Sequence, residues 1–316
     1  MNSGNRQQAK YETGAKQAKN KQNSEHSRET SSSRVGYLNM DIIKTVDELR
    51  ARLAEERDVC CVPTMGNIHD GHLSLVKIAL QTAPVTVTTI FVNRLQFGQG
   101  DDFERYPRTF EDDCAKLDAI GNTIVFYPDE QQMYPEPQEF YVDPPKVAKK
   151  LEGRFRPGHF RAVCTVVSKL FHMVQPQSAV FGKKDYQQLA IVRDMVDQFA
   201  FPIRIVPAET VRAADGLALS SRNRYLSEEE RKEAPRLREA ILQIRDAIES
   251  GDRKFVAMEY AAGALLSRNG WNVDYVVVRT QRGLRRPAPE DSDLVVLGAA
   301  TLGSTRLIDN LEVTAP

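Results

Sequence analysis

The sequence predicts an α/β fold, in which a Rossmann-like, doubly wound parallel sheet is followed by a smaller C-terminal α+β domain. Between residues 41 and 206, short β-branched apolar runs alternate with segments of helical periodicity, as in parallel sheets covered by helices. After Asp215 the order changes to two helical patterns followed by three segments of alternating polarity. We therefore predict one domain at residues 40–212 and a second at residues 213–316.

The first domain contains five predicted strands, of which the first ends at Pro63 because a central strand cannot lose a backbone donor. The predicted strands are Val59–Val62, Val85–Val92, Thr123–Tyr127, Ala179–Phe181 and Ile203–Val206. The predicted helices are Ile43–Leu53, Leu73–Leu80, a helix capped by Thr109 that reaches Ile120, Ala162–Gln175 and Asp185–Phe199. In the second domain, Ser227–Glu230 has the spacing of a capping box and predicts one long helix toward Ser250. A further helix and three antiparallel strands are predicted at Phe255–Asn269, Val273–Arg279, Leu294–Ala300 and Arg306–Asp309.

Composition excludes several classes of protein. The 316 residues include 43 basic and 43 acidic side chains, so no overall field attracts nucleic acid or an anionic membrane. No apolar run approaches the ~20 residues that a membrane-spanning helix needs. The four cysteines form no C-x-x-C pair, which predicts buried thiols and a reducing, cytoplasmic location.

Residues 1–39 differ from the rest, with seven basic and three acidic side chains and few apolar ones. They predict a disordered extension without a catalytic part. The glutamates and the Lys, Gln and Asn bias fit a transit peptide poorly, and a basic tail that contacts RNA or lipid is the alternative.

The segment from Val59 to Val76 is the centre of the functional prediction. An apolar strand runs into a turn with two glycines, and a helical pattern follows at Leu73. His69 and His72 lie at this crossing, where the free amides and the dipole of a helix start favour an anion. A zinc site would need a third ligand, which no Cys, Asp or Glu cluster supplies. The pair therefore predicts a phosphate site, with simple filling of a loop as the alternative.

The full pattern at residues 63–72, P-T-M-G-N-I-H-D-G-H, resembles the H-x-G-H nucleotidyltransferase superfamily and, within it, the pantoate–β-alanine ligase (pantothenate synthetase) family. Four further segments resemble that family in the same order, at residues 91–97, 156–160, 182–188 and 211–223. The resemblance covers residues 41–311. The family usually has Pro, Gly, Glu and Met where this chain has Arg94, Ala162, Ala213 and Leu219.

Three of these segments indicate chemistry from their residues alone. Asn93 and Gln96 follow a predicted strand at the edge where such folds bind ligands, and a glutamine can both donate to and accept from a hydroxy acid. The turn at Gly182 opens a second helix start beside Lys184, without the spacing of a P-loop. In a basic loop, His159 either orders the loop or contacts substrate.

The resemblance implies roles for individual residues. Charge stabilisation or catalysis is implied for His69, His72, Lys184 and Arg222. ATP contacts are implied for Met65, Gly66, Asn67, Ile68, His69, Asp70, Gly71, His72, Gly182, Lys183, Lys184, Asp185, Val211, Leu219, Ser220, Ser221 and Arg222. Contacts with pantoate or β-alanine are implied for Thr64, Met65, Asn93, Gln96 and Gln188.

Acidic residues Glu111, Asp112 and Asp113 occupy the first turn of a predicted helix. Acids there complement the helix dipole, which is a sufficient explanation by itself. The functional interpretation is that Asp112 and Asp113 assist a Mg²⁺ held mainly by ATP phosphates and water.

Taken together, the resemblance implies an ATP-dependent ligase that joins (R)-pantoate to β-alanine through an enzyme-bound pantoyl adenylate, releasing AMP and pyrophosphate. It also implies a homodimer that needs Mg²⁺ and has no nucleic-acid or membrane partner. Two alternatives stay open, namely a nucleotidyltransferase that moves AMP onto a phosphate and a non-catalytic nucleotide-binding protein.

Overall fold

The computed structural model describes residues 39–98 and 103–316, within one compact unit, Asn39–Pro316. The predicted disordered extension at residues 1–39 therefore lies outside the described residues, except for Asn39.

Six strands and seven helices of the described residues make up the first part of the fold. The strands are β1 (Asp41–Ile43), β2 (Val59–Thr64), β3 (Val85–Ile90), β4 (Ile124–Phe126), β5 (Ser178–Gly182) and β6 (Arg204–Ala208). The helices are α1 (Val46–Leu53), α2 (Asp70–Thr82), α3 (Phe110–Ala119), α4 (Glu130–Met133), α5 (Glu152–Phe155), α6 (His159–Val174) and α7 (Tyr186–Gln198). Short 3-10 turns lie at Arg94–Gln96, Phe103–Arg105, Lys146–Lys149 and Lys183–Asp185.

The six strands form one parallel sheet in the order β1-β4-β3-β2-β5-β6. From β2 the chain adds β3 and β4 on one side, and from β5 it adds β6 on the other, so the direction of winding reverses between β2 and β5. All residues of β3 are buried, which explains its continuous β-branched and apolar sequence. The predicted Rossmann-like, doubly wound sheet is confirmed.

A second, antiparallel sheet follows three more helices, and it confirms the predicted α+β architecture. The helices are α8 (Glu228–Glu233), α9 (Arg236–Glu249) and α10 (Phe255–Arg268). The strands, in spatial order, are β7 (Trp271–Thr280), β8 (Asp293–Leu302) and β9 (Thr305–Thr314). Leu237 and Ile241 of α9 share a buried cluster with Leu294 and Val296 of β8. None of the helices in the described residues is long and apolar enough to cross a membrane.

Four local predictions are wrong. Strand β2 runs through Pro63, which lies opposite Thr89 of β3, and ends at Thr64. Ile43 belongs to β1, and α1 begins only after Thr45, whose side chain caps it. The helix predicted to reach Ser250 is broken into α8 and α9, because Pro235 has no N–H for a continuous helix. Thr109 precedes α3 but makes no capping hydrogen bond.

Ion pairs connect the C-terminal sheet with the first part of the chain. They are Lys183–Glu312, Arg212–Asp309 and Arg306–Glu152, with N–O distances of 2.6, 2.7 and 2.7 Å. The exact domain boundary at residues 212 and 213 stays a prediction.

Candidate active site

The two glycine turns predicted from the sequence lie side by side. Strands β2 and β5 are hydrogen-bonded neighbours, with Cys60 opposite Ser178. Each strand continues into a turn that precedes a helix, α2 after β2 and α7 after β5. Because the carboxyl ends of parallel strands meet at one edge of a sheet, both turns open toward one cleft at the switch point of the winding.

The first turn is held by two side chains of α3. Gly66 (φ +78°) and Asn67 (φ +52°) both adopt the left-handed backbone conformation. The N–H groups of Asn67 and Ile68 donate to the Asp113 carboxylate at 2.8 and 2.7 Å. The ammonium of Lys116 donates to the Ile68 carbonyl at 2.8 Å. Asp113 is only 1% exposed, so it acts as a buried acceptor that fixes the backbone leading to the histidines.

The predicted role of Asp113 as a Mg²⁺ ligand stays a prediction, because its carboxylate has other partners in this structure. Its carboxylate already accepts two backbone N–H groups and the Thr109 hydroxyl, the last at 3.1 Å. Asp112 is exposed and, like Asp113, is absent from the walls of the cleft. Within residues 39–98 and 103–316, no three His, Cys, Asp or Glu side chains are placed to hold a metal ion. The geometry therefore gives no support to a Mg²⁺ held by this pair of carboxylates.

His69 and His72 cap the start of α2 together. The Gly71 N–H donates to Nδ1 of His69 at 3.1 Å, and the His69 N–H donates to Nδ1 of His72 at 3.4 Å. Because both Nδ1 atoms accept hydrogen bonds, each neutral ring carries its proton on Nε2. A Cβ at Gly71 would lie 2.8 Å from Cε1 of His69. The glycine thus makes room for the imidazole of His69.

Both imidazoles are neutral near pH 7. Burial, followed by the neighbouring His69 and Lys184, lowers the pKa of His72 to about 3. Burial also lowers the pKa of His69, followed by the effect of Lys184. The sequence suggested that free helix amides would meet the anion, but the Gly71 N–H is already bonded to an imidazole. The first turn therefore offers Nε2–H donors without positive charge.

The second turn separates two consecutive lysines. The Lys183 ammonium lies 2.6 Å from Glu312 and 2.5 Å from Glu209, so it faces the C-terminal sheet. Lys184 lines the cleft, and no ion pair among the described residues includes it. Lys184 is thus available to an anionic ligand, whereas Lys183 is neutralised by two carboxylates.

Strand β3 leads into a loop that presents Gln96 to the cleft. Asn93 is 1% exposed, and its NH₂ group donates to Oε1 of Gln96 at 3.0 Å. The Tyr134 hydroxyl donates to Oδ1 of Asn93 at 2.9 Å. These bonds orient the Gln96 amide with its NH₂ group as the donor available to a ligand. Asn93 therefore acts through Gln96, since it does not itself reach the cleft wall.

His159 joins this loop to the basic segment before α6. Its Nδ1 lies 3.3 Å from the Gln96 carbonyl, and its Nε2 lies 3.1 Å from the Arg156 guanidinium. Burial, followed by the Arg156 guanidinium, lowers the pKa of His159 to about 4. Of the two roles considered from sequence, loop ordering has direct geometric support, and the ring also lines the cleft.

A β-hairpin at residues 211–219 forms the remaining wall. The Leu219 N–H donates to the Val211 carbonyl at 2.9 Å. Arg212 binds the Asp309 carboxylate through both guanidinium NH₂ groups, at 2.7 and 2.8 Å, which fastens the hairpin to β9. The chain leaving the hairpin then places Ser220, Ser221 and Arg222 on the cleft wall.

These groups enclose one cavity of about 270 Å³. The predicted site residues on its walls are Thr64, Met65, His69, Gly71, His72, Gln96, Gly182, Lys184, Asp185, Gln188, Val211, Leu219, Ser220, Ser221 and Arg222. The predicted site residues away from its walls are Gly66, Asn67, Ile68, Asp70, Asn93, Asp112, Asp113 and Lys183. Several members of the second group hold the turns that carry the first group.

Sequence reasoning missed part of the cavity wall. One apolar face of α6 lines it, through Val163, Val166, Val167 and Leu170. Their helical spacing was visible, but it is the spacing of any helix that packs on a core. Polar residues missed on the wall are Tyr106, Glu209, Thr210 and Tyr225. No local pattern distinguishes these from ordinary loop residues.

A doubly wound sheet with an H-x-G-H turn and a lysine turn in one polar cavity defines an enzyme of the α/β nucleotidyltransferase type. The family model described as pantoate-beta-alanine ligase matches residues 41–312. The chain belongs to that family. It is accordingly a ligase that joins pantoate to β-alanine through an amide bond.

Individual relatives align with this chain over nearly their whole lengths. The chain is 56% identical over 275 residues to the pantothenate synthetase of Nitrosospira multiformis, covering 87% of this chain and 99% of that one. It is 57% identical over 277 residues to that of Nitrosomonas europaea, covering 88% and 100%.

Solved structures show the same architecture. The crystal structure of pantothenate synthetase from Thermus thermophilus is 43% identical, with a TM-score of 0.83 over 87% of this chain and 100% of that one. The pantoate-beta-alanine ligase of Francisella tularensis, complexed with beta-gamma ATP and beta-alanine, is 29% identical, with a TM-score of 0.71 over 86% and 97%.

Proposed function

We propose that the chain forms its amide bond through an enzyme-bound pantoyl adenylate in the 270 Å³ cavity. In the first step, a carboxylate oxygen of pantoate attacks the α-phosphorus of ATP, the bond to the bridging oxygen breaks, and pyrophosphate leaves. In the second step, the β-alanine amine attacks the acyl carbon, the bond to the AMP oxygen breaks, and the nitrogen loses a proton. The products are pantothenate, AMP and pyrophosphate.

The first step brings a carboxylate onto a polyphosphate, so orientation and stabilisation of negative charge are its main requirements. We assign Lys184 and Arg222 to the phosphate oxygens, because both line the cavity and neither takes part in an ion pair among the described residues. His69 and His72 add neutral Nε2–H donors. These donors stabilise developing charge without titrating near pH 7.

Pantoate is assigned to the part of the cavity beside Gln96 and Gln188. The NH₂ group of Gln96 suits a hydroxyl or carboxylate oxygen, and its orientation is fixed by Asn93. The apolar face of α6, including Val163 and Val166, suits the two methyl groups of pantoate. Thr64 and Met65, at the end of β2, complete this end of the cavity.

ATP is assigned to the space between the two turns and the hairpin. Val211 and Leu219 lie on the wall assigned to the adenine, while Ser220 and Ser221 offer hydroxyl donors to phosphates. ATP binds as its Mg²⁺ complex, in which the phosphates hold the ion. No three His, Cys, Asp or Glu side chains of the described residues are placed together to hold a metal ion, and no step of the proposal uses a protein-bound metal.

The observation that carries the proposal is that His72 and Lys184 face one cavity together with Gln96 and Gln188. The test is incubation with ATP, pantoate and labelled pyrophosphate in the absence of β-alanine. Label should enter ATP only when pantoate is present, and added hydroxylamine should trap a hydroxamate. Pantothenate formation without any such exchange would contradict the adenylate route.

Three further assignments accompany this function. We propose a homodimer, which sedimentation of the purified protein tests. We propose a cytoplasmic location, in keeping with four free, buried cysteines, which cell fractionation tests. We propose that residues 40–212 and 213–316 are separate domains, as two distinct hydrophobic clusters suggest, and limited proteolysis near residue 212 tests that boundary.

A further inference from the structure

We propose that Asn310 is a positioning residue for Lys184, acting from the C-terminal sheet on the phosphate-binding turn. The NH₂ group of Asn310 donates to the main-chain oxygens of Lys183 at 2.8 Å and of Lys184 at 2.9 Å. Asn310 is 6% exposed, so these two bonds lie largely out of reach of water. The inference rests on the proposed role of Lys184 in adenylate formation.

The main chain of Asn310 is itself fixed. Its N–H donates to the Asp309 carboxylate at 2.7 Å, and that carboxylate is bound by both guanidinium NH₂ groups of Arg212. Its carbonyl accepts from Arg238 at 3.3 Å. The amide of Asn310 is therefore presented from a rigid point on β9.

The next inward residue of β9 reinforces the contact. Residues two apart in a strand share one face of the sheet, which places Glu312 on the same side as Asn310. Glu312 accepts from the Lys183 ammonium at 2.6 Å and from the Tyr186 hydroxyl at 2.7 Å. Lys183 is thereby drawn toward β9 through both its carbonyl and its side chain, and Lys184 is left to face the cavity.

The contact requires a neutral group with two donors. An aspartate in place of Asn310 would set a carboxylate against two carbonyl oxygens, and an alanine would leave both carbonyls without this partner. In either case the backbone of Lys184 loses its support, and its ammonium shifts relative to the phosphates. Formation of the adenylate consumes ATP phosphates, whereas attack of β-alanine on a preformed adenylate does not, so the two steps should respond differently.

The experiment compares Asn310→Asp and Asn310→Ala with matched changes at Asn272, an exposed residue of β7 in the same sheet. Adenylate formation is followed as pantoate-dependent ATP–pyrophosphate exchange without β-alanine. The second step is followed as pantothenate formation from synthetic pantoyl adenylate and β-alanine. We expect both Asn310 variants to lose about tenfold or more of the exchange rate. We expect the second step to stay near the wild-type rate, and both steps to stay normal in Asn272→Asp and Asn272→Ala.

Asn310→Ser retains one donor and should give an intermediate exchange rate, which keeps the test valid if the other variants fold poorly. Normal exchange in every folded Asn310 variant would overturn the inference, and so would an equal loss in both steps, which a merely structural role produces. The proposed function on which this inference rests is tested by separate results. Wild-type protein without pantoate-dependent exchange would refute that function, and Lys184→Met with full exchange would refute the role of Lys184 on which the inference rests, whatever Asn310 does.

Discussion

The two glycine turns of the cavity are supported from different parts of the molecule. The turn before α2 is fixed within the parallel-sheet part, by Asp113 and Lys116 of α3. The turn before α7 is fixed from the antiparallel sheet, by Asn310 and Glu312 of β9. The first geometry is therefore a property of one hydrophobic core, and the second depends on the contact between two.

This difference predicts which catalytic groups respond to movement of the C-terminal part. A displacement of β9 would move the support of Lys184 directly. The same displacement would leave His69 and His72 in place, because their turn is held by its own hydrogen bonds and no hydrogen bond or ion pair among the described residues joins it to β9. We therefore expect a movement of β9 to displace Lys184 and to leave the two histidines unchanged.

The largest expected effect is that of Lys184→Met. Removal of a cation aimed at the phosphates should lower the ATP–pyrophosphate exchange rate by about 10²–10³-fold. The neighbouring Lys183→Met is the matched control and should lose less than about tenfold, because the Lys183 ammonium is held by Glu209 and Glu312. Equal losses in the two variants would show that the second turn does not separate the roles of its lysines.

The next effect concerns the first turn. His72→Ala should slow exchange by about 10²-fold, because one donor to the developing charge is lost while the fold survives. His172→Ala, which removes an exposed histidine bonded to the Ser168 carbonyl, is the control and should keep normal exchange. Near-normal turnover of His72→Ala would contradict the role assigned to this imidazole.

A smaller effect tests the support of the first turn. Asp113→Asn should lower the free energy of unfolding by about 1–3 kcal/mol, since one of two backbone donors loses its acceptor. Exchange should fall by about tenfold through misplacement of the histidines. Asp112→Asn changes an exposed neighbour and should alter neither urea unfolding nor exchange. If both variants lost exchange activity equally and extra Mg²⁺ restored it, Asp112 and Asp113 would be supported as ligands of Mg²⁺.

The last effect is a pH dependence of stability, which concerns the fold and is measured without changing a catalytic group. The pKa of His72 is lowered to about 3 and that of His159 to about 4, so the folded state favours the neutral rings. Their contribution is complete above the unfolded pKa of about 6.5 and is lost as the pH falls toward those lowered values.

When the pH falls from 7.5 to 5, the free energy of unfolding should therefore decrease by about 2 kcal/mol for each ring, as measured by urea titration. His159→Asn should make the pH dependence shallower. An unchanged slope in that variant, or greater stability at pH 5, would contradict neutral histidines in the fold.

Much of the fold was predictable because its signals are local. The β-branched runs and the helix starts at the two turns lie within single short segments, and these predicted the doubly wound parallel sheet. The supports of the turns were not predictable in this way. In the sequence, Asp113 looks like an ordinary acid of a first helical turn. Its partners, Asn67 and Ile68, are far away along the chain, so no local pattern reveals them. Asn310 likewise meets Lys184 only through tertiary contact.

The candidate site shows the same division, between residues that face the cavity and residues that support them. Residues that face the cavity, such as His72 and Gln96, belong to motifs whose residue types indicate their chemistry. Residues that orient them, such as Asn93, were assigned to substrate because the motif does not distinguish contact from support. Mutual capping of the two histidines also required coordinates, because it depends on ring orientation.

Strand β9 is synthesised after every other helix and strand of the described residues. The parallel sheet and its histidines leave the ribosome before β9 does, since synthesis adds about 5–20 residues per second from the N-terminus. The lysine turn receives its two inward-facing partners only when β9 has emerged. A polypeptide that ends before β9 would lack both of these partners, and we expect it to form the adenylate more slowly than the full chain.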